Sequence, residues 1–155
     1  MQAEKKLIPL PLYKKIHASV PVLCVDVVVV NSEGHFLLVK RANEPEKGKW
    51  WFLGGRVFRG ERVKEAALRK VKEETGLSGT IKKELGHYEY LSKKGYFKSI
   101  GAHMFAIVFL VKIDSRKTVH LDGQSSEFKW FSGVEPTFNS YIKDFLKRAG
   151  FKARK

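Results

Sequence analysis

The stretch Gly54 to Leu77, GGRVFRGERVKEAALRKVKEETGL, decides how the rest of the chain is read. Its opening, Gly54-Gly55-Arg56-Val57-Phe58-Arg59-Gly60, suits neither a helix nor a long strand, because glycine brings backbone freedom and lets a ligand approach closely. From Glu61 the composition turns to Glu, Arg, Lys, Ala and Leu, all strong helix formers. The helix is expected to stop near Gly76, a left-handed terminator. A glycine loop therefore feeds a charged helix.

That helix carries the chemistry. With residues about 100° apart around the axis, Lys70, Glu73 and Glu74 share one narrow arc and Arg69 flanks Glu73. Val63, Ala67 and Val71 form an adjoining apolar stripe that faces a core. Two carboxylates on one turn, beside loop carbonyls, make an oxygen-rich site of the kind Mg2+ prefers, and Mg2+ bridges readily to phosphate. Arg69 is suited to hold one carboxylate through its planar fork. Taken alone, Glu73 and Glu74 would read as decoration of a solvated helix, where each ion pair stabilises by roughly 0.2–0.5 kcal/mol.

The spacing says more. Gly55, five residues, Glu61, seven residues, Arg69, then Val71, Glu73, Glu74, Gly76 and Leu77 resemble the Nudix box at all its fixed positions but one. The exception is Lys70, where the box usually has Glu. One carboxylate is lost and a cation gained, so the remaining charge suits one divalent ion rather than a cluster. A harsher alternative stays open, in which Lys70 pairs with Glu74 and weakens the metal site.

Composition bounds the problem. At 155 residues, with 43% hydrophobic residues and 11 Phe, the chain has enough apolar side chains for one core. It reads as a single domain, 1–155, with an N-terminal arm over 1–17 and a basic tail over 150–155. The longest apolar run, Val20 to Val30, is broken by Asp26 and too short to cross a bilayer. No signal peptide is visible, and Cys24, the only cysteine, is expected in the core. A cytoplasmic protein is expected. The net charge of +14 attracts polyanions, including nucleotides and nucleic acid, although much of the lysine reads as plain surface.

Along the chain, Tyr13 to His17 suggests one helical turn. Val22 to Val30 reads as a buried strand, and His35 to Lys40 as its hairpin partner. Trp50 to Leu53, Gly79 to Leu91, Ile100 to Val111 and Glu127 to Phe131 read as further strands. Phe138, Ile142, Phe145 and Leu146 recur at helical spacing within Pro136 to Arg148. The expected class is α/β: an α/β/α sandwich, with the box helix on one face of a mixed sheet and the C-terminal helix on the other. The Nudix fold has the same architecture.

The resemblance extends outside the box. Asp26 in a buried strand, the run from Asn31 to Val57, and Gln124 followed by Trp130-Phe131 are similar to the GDP-mannose mannosyl hydrolase branch. That branch implies one metal ion, Mg2+ with Mn2+ as a substitute, held by the Gly54 carbonyl, Glu74 and Gln124. It implies Arg41 and Arg56 on the diphosphate, Arg69 supporting the box, and Asp26 on the sugar. Water then attacks the sugar carbon and the nucleoside diphosphate leaves. By residue chemistry alone, Asp26 could equally be a structural hydrogen-bonding group, since a carboxylate among apolar neighbours needs a partner. The branch carries a His base directly after the Gln, and this chain has Ser125 there; Met104 likewise replaces a Tyr of the branch. Glu73 is the conservative substitute as base, while His87, His103 and His120 qualify by residue type alone. Attack on carbon and on phosphorus both stay open, the latter giving a nucleoside triphosphate pyrophosphatase. So does a catalytically silent module that binds RNA or a nucleotide, though the retained Arg69, Glu73 and Glu74 argue against it. Many enzymes of this fold are dimers, but nothing in the sequence locates an interface.

Overall fold

The computed structural model describes residues 8–113 and 125–154. Its elements run α1 (Leu10–Ser19), β1 (Val22–Val30), β2 (Phe36–Arg41), β3 (Trp50–Trp51), β4 (Leu53–Arg56), α2 (Val63–Thr75), β5 (Gly79–Ser92), β6 (Ala102–Ile113), β7 (Ser125–Phe131) and α3 (Ser140–Arg148). The strands form one mixed sheet in the order β3-β2-β1-β6-β5, with β4 paired to β1 and β7 to β2. β1 and β6 run parallel at its centre, and the other pairs are antiparallel.

β1 alternates between two cores. Val25, Val27 and Val29 pack with Leu37, Leu53, Phe109 and Val111 against Ala66, Ala67 and Val71 of α2. Val28 turns the other way, joining Phe36, Leu38 and Val108 against Tyr141, Ile142, Phe145 and Leu146 of α3. Both faces of β1 are covered, which explains its near-continuous valine run. Ile142, Phe145 and Leu146 are fully buried, each contributing about 1.5–3 kcal/mol. The expected sandwich is the one observed.

The pairing of β1 with β2 is short, and this opens a fork in the sheet. The two strands meet only at Val29–Leu37 and Val30–Phe36. They then part: β1 takes β4 as its neighbour over Cys24 to Val27, and β2 takes β7. Gly54 and Gly55 therefore belong to a strand, not to the loop their composition suggests; β1 supplies the pairing that glycine cannot encode locally. The Cα of Asp26 lies opposite Gly54 on one branch of the fork, and Arg41 lies opposite Ser125 on the other.

Several strand ends shift by one or two residues from the sequence reading, the run Trp50 to Leu53 divides between β3 and β4, and all three helices begin elsewhere than expected. Of the arm read over 1–17, residues 1–7 lie outside the described residues, and in place of one turn the rest carries a ten-residue helix, α1, with no buried residue of its own. It is held by aromatic edges: Tyr13 and His17 lie 5.8 and 5.3 Å from the Phe97 ring. α2 begins at Val63 rather than Glu61, with the Glu65 carboxylate accepting from the Arg62 N–H at 3.2 Å; it ends at Gly76, which has φ 75°. α3 begins at Ser140 rather than Pro136, because the Asn139 side chain caps it by accepting from the Tyr141 N–H at 2.9 Å. Cys24 is buried as expected. Among the described residues no helix is long and apolar enough to cross a membrane.

Candidate active site

Arg69 builds one wall. Its Nε donates to Glu61 Oε2 at 2.6 Å and its Nη2 to Glu61 Oε1 at 2.9 Å, the fork-on-carboxylate geometry that only arginine offers. The same Nη2 reaches the Arg56 carbonyl at 2.9 Å, and Nη1 reaches Glu73 Oε2 at 3.2 Å. The guanidinium also lies 3.8 Å from the Phe58 ring centre. Glu61 accepts from the Phe58 N–H as well, at 3.1 Å. One side chain thus ties strand β4, the following loop and the helix together. Burial by itself would raise the Glu61 carboxyl; the Arg69 fork and the Phe58 N–H reverse this and hold it below the usual range.

One turn further along α2 is a second ion cluster. Lys70 is 4% exposed and Glu74 3%. The Lys70 Nζ lies 3.0 Å from Glu74 Oε1 and 3.7 Å from Glu73 Oε2. The lysine stem presses on the glycine strand: a Cβ on Gly55 would stand 2.7 Å from Lys70 Cε and 3.2 Å from Nζ. A Cβ on Gly54 would collide with Asp26 Oδ1. The two glycines are needed because side chains from opposite sides of the sheet close over their backbone.

Asp26 occupies the α3 side. Tyr141 Oη donates to Asp26 Oδ2 at 2.6 Å, linking positions far apart in sequence. The phenol is stacked on Tyr88, with ring centres 4.1 Å apart, and flanked by Phe52 and Phe145. Burial raises the Asp26 carboxyl to about 6, with the Tyr141 hydroxyl and the positive field of Arg41 drawing it down. Asp26 therefore has a hydrogen-bonding partner, as the structural reading required, and it also feels the charge of Arg41 at longer range. Tyr141 was missed by sequence reasoning. The available signal was an isolated acid in an apolar strand, which demands a donor from somewhere in the fold.

The arginines expected on a diphosphate lie on both branches of the fork. Arg41 is fixed at the end of β2, its Nε donating to the Pro45 carbonyl at 2.6 Å. Arg56, at the end of β4, lies 4.9 Å from the Phe58 ring and 5.8 Å from that of Tyr13, so α1 adjoins the site. Burial and the Arg56 charge lower the His17 imidazole next to Tyr13. Of the three histidines considered as bases, His87 on β5 stacks on Phe105, and His103 on β6 faces Glu89. Gln124 and His120 fall outside the described residues. Between the loops 42–47 and 93–100 opens a cleft of about 670 Å³ lined by Lys47, Lys93, Lys94 and Lys98, with Tyr96 and Phe97.

Lys70 pairs with Glu74, the harsher of the two arrangements the sequence left open, and the side-chain donors around the pair are oxygens of the kind a hard cation takes. No group of three or more His, Cys, Asp or Glu side chains is assembled for a metal among the described residues. On α2 and the loop before it, the Glu61, Glu73 and Glu74 carboxylates already face the Arg69 and Lys70 cations. Arg56 also acts on Glu61, so these carboxylates carry no surplus of negative charge, and a hard cation would share Glu73 and Glu74 with Arg69 and Lys70.

Residues 20–148 match the NUDIX domain family. The chain is 33% identical over 148 residues to the low-salt glycan biosynthesis protein Agl8 of Haloferax volcanii, covering 94% of each chain. It is 37% identical over 93 residues to an ADP-ribose pyrophosphatase of Methanocaldococcus jannaschii, covering 60% of this chain and 52% of that one. Its backbone resembles the crystal structure of the MutT protein from Methanosarcina mazei Go1, with TM-score 0.66 and 28% identity, covering 84% of this chain and 94% of that one.

Proposed function

The chain belongs to the NUDIX family, and we propose that it is a Mg2+-dependent hydrolase of a nucleoside diphosphate derivative, with a nucleotide sugar such as GDP-mannose as substrate. Hydrolases of this family act on nucleotide derivatives and generally use divalent metals. The observation that carries the sugar assignment is the Asp26 carboxylate laid over Gly54, with Arg41 in its field. It sets an acceptor for sugar hydroxyls beside the strand that would meet the diphosphate. Similarity to a glycan biosynthesis protein along nearly the whole chain supports the same substrate class.

In this reading the Gly54 carbonyl, the Glu74 carboxylate and the Gln124 side-chain oxygen would hold the ion. When bound, the ion supplies positive charge to the departing diphosphate. Arg41 and Arg56 grip the same phosphates from the two branches of the fork and stabilise the charge that grows as the bond breaks. Arg69 is a positioning residue: through Glu61 and the Arg56 carbonyl it fixes the strand and loop against the helix. Asp26 orients the sugar. A water oxygen attacks the sugar carbon, the bond from that carbon to the diphosphate oxygen breaks, and Glu73 accepts the water proton. Glu73 takes this role because Ser125 does not accept a proton near neutral pH without help.

Product analysis tests the reaction. Incubation of nucleotide sugars with Mg2+ is expected to give free sugar and nucleoside diphosphate. Monophosphate products would place the attack on phosphorus instead and make the chain a pyrophosphatase. A second reading, a silent module that binds RNA or a nucleotide, is favoured by the Lys70–Glu74 ion pair and the lysine-lined cleft. Turnover that is equal in wild type and Glu74→Gln would sink the metal assignment, and an absence of turnover across the panel would favour the silent module.

A further inference from the structure

Lys70 stands where the box usually carries a carboxylate, and its position is not that of a surface lysine. Its side chain is almost wholly buried, as is that of Glu74. Pairing on a solvated helix does not explain this. Lysine preceding glutamate by four residues is the less favourable order along a helix, and such pairs normally lie in water. Here the stem is pressed on the backbone of Gly55, and Nζ lies between the glycine strand and the acidic turn, 3.0 Å from Glu74 and 3.7 Å from Glu73. That is where carboxylate oxygens and strand backbone converge.

We propose that the Lys70 ammonium is a built-in cation that takes the place of a divalent ion between Glu73 and Glu74. The two carboxylates are held together by a covalently attached charge, so this turn needs no metal to stay folded. The free protein would then bind a divalent ion weakly, because the ion would have to share Glu73 and Glu74 with a fixed positive charge. Tight binding of one ion waits for a diphosphate to bring further oxygens. Lys70 also offers N–H donors to that diphosphate, doing part of what a second ion would do. The inference rests on the reading of this turn as the diphosphate site, but its test uses no turnover.

The experiment compares wild type, Lys70→Met and Lys70→Glu without nucleotide. Thermal unfolding is followed in EDTA and in Mn2+, and Mn2+ binding by titration calorimetry and electron paramagnetic resonance. The wild-type midpoint is expected to be the same in EDTA and Mn2+. Lys70→Met is expected to unfold earlier in EDTA, because Glu74 is left buried without its ammonium, and to recover in Mn2+. Its Mn2+ affinity is expected to rise at least about tenfold. Lys70→Glu is expected to bind one more Mn2+ per chain than wild type. If Lys70→Met is unfolded in EDTA, refolding by Mn2+ supports the proposal, and remaining unfolded in Mn2+ overturns it. Wild-type affinity and stoichiometry in both variants also overturn it, as does a wild type that loses stability in EDTA. If the variants behave like wild type while the wild type hydrolyses nucleotide sugars, only this inference falls. If the variants gain metal while the wild type turns over nothing, only the functional reading falls.

Discussion

The sheet carries acidic side chains on both faces, and the two faces partner them differently. On the α2 face, Glu61 sits in the fork of Arg69, and Glu74 sits against the Lys70 ammonium. On the α3 face, Asp26 receives a phenolic O–H from Tyr141, and its cation, Arg41, acts on it only at longer range. Burial raises a carboxyl in either place. Where a guanidinium touches it, the pairing wins and Glu61 stays ionised; where a hydroxyl is the near partner, burial wins and Asp26 rises to about 6. The first arrangement holds a loop in place. The second leaves a group that changes charge close to working pH, which is useful beside a substrate and costly to the fold.

The sharpest break of this comparison is at the acidic turn. Glu74→Gln should lower kcat more than about 100-fold, since removing even an outer partner of a metal typically costs about 10–100-fold. Circular dichroism should show a folded variant, because glutamine keeps an oxygen to accept from Lys70. Activity within a fewfold of wild type would remove Glu74 from the metal.

Glu61→Ala removes the acceptor of the Arg69 fork from a nearly buried pair. A loss of about 3 kcal/mol is expected in urea unfolding, at the low end for a broken buried ion pair because Arg69 is partly exposed. The Glu61 carboxyl is depressed in the folded state. Its contribution is therefore present above the unfolded pKa and lost as pH falls through the folded one. The acid loss of stability should accordingly be shallower in the variant than in wild type.

Asp26→Asn should have the opposite sign. The folded carboxyl, at about 6, lies above its ordinary value of 3.8. Between those values the folded state binds more protons than the unfolded, so wild-type stability falls as pH rises through this window and stays low above it. The shift corresponds to about 3 kcal/mol at pH 7 to 8, which asparagine should restore while nucleotide-sugar hydrolysis drops. A variant less stable than wild type at pH 8 would show that the charged carboxylate makes compensating contacts.

Much of this was readable in one dimension. A valine run such as Val22–Val30 has no use except between two covered faces, and the spacing from Gly55 to Leu77 gave the helix, its terminator and an arginine fork on some carboxylate, though not that Glu61 and the Arg56 carbonyl would fill it. What escaped depends on partners remote in sequence. α1 has no buried stripe and is fastened by Phe97, so its length was invisible. Gly54 and Gly55 look like a loop until β1 pairs with them. The Lys70–Glu74 contact could be named as an alternative, because helical spacing allows it, but only the packing on Gly55 shows the ammonium enclosed. Tyr141 reaches Asp26 from the far end of the chain, and no local pattern marks a tyrosine on a core-facing helix as a donor to an acid.

Tyr141→Phe is the mildest change and separates the two faces most cleanly. It removes one hydroxyl and leaves the ring on Tyr88 and Phe145. The lost hydrogen bond, to a group charged at neutral pH, should cost about 1.5–3 kcal/mol at pH 8, where Asp26 is ionised, and less at pH 4 to 5, where it is protonated. Since the phenol lowers the Asp26 carboxyl, the variant should titrate higher than wild type. The midpoint of the stability-against-pH curve should therefore move up, with no change in the acid limb set by Glu61. If the acid limb moved with it, the two faces would be one coupled network, and the contrast between guanidinium and hydroxyl would lose its meaning.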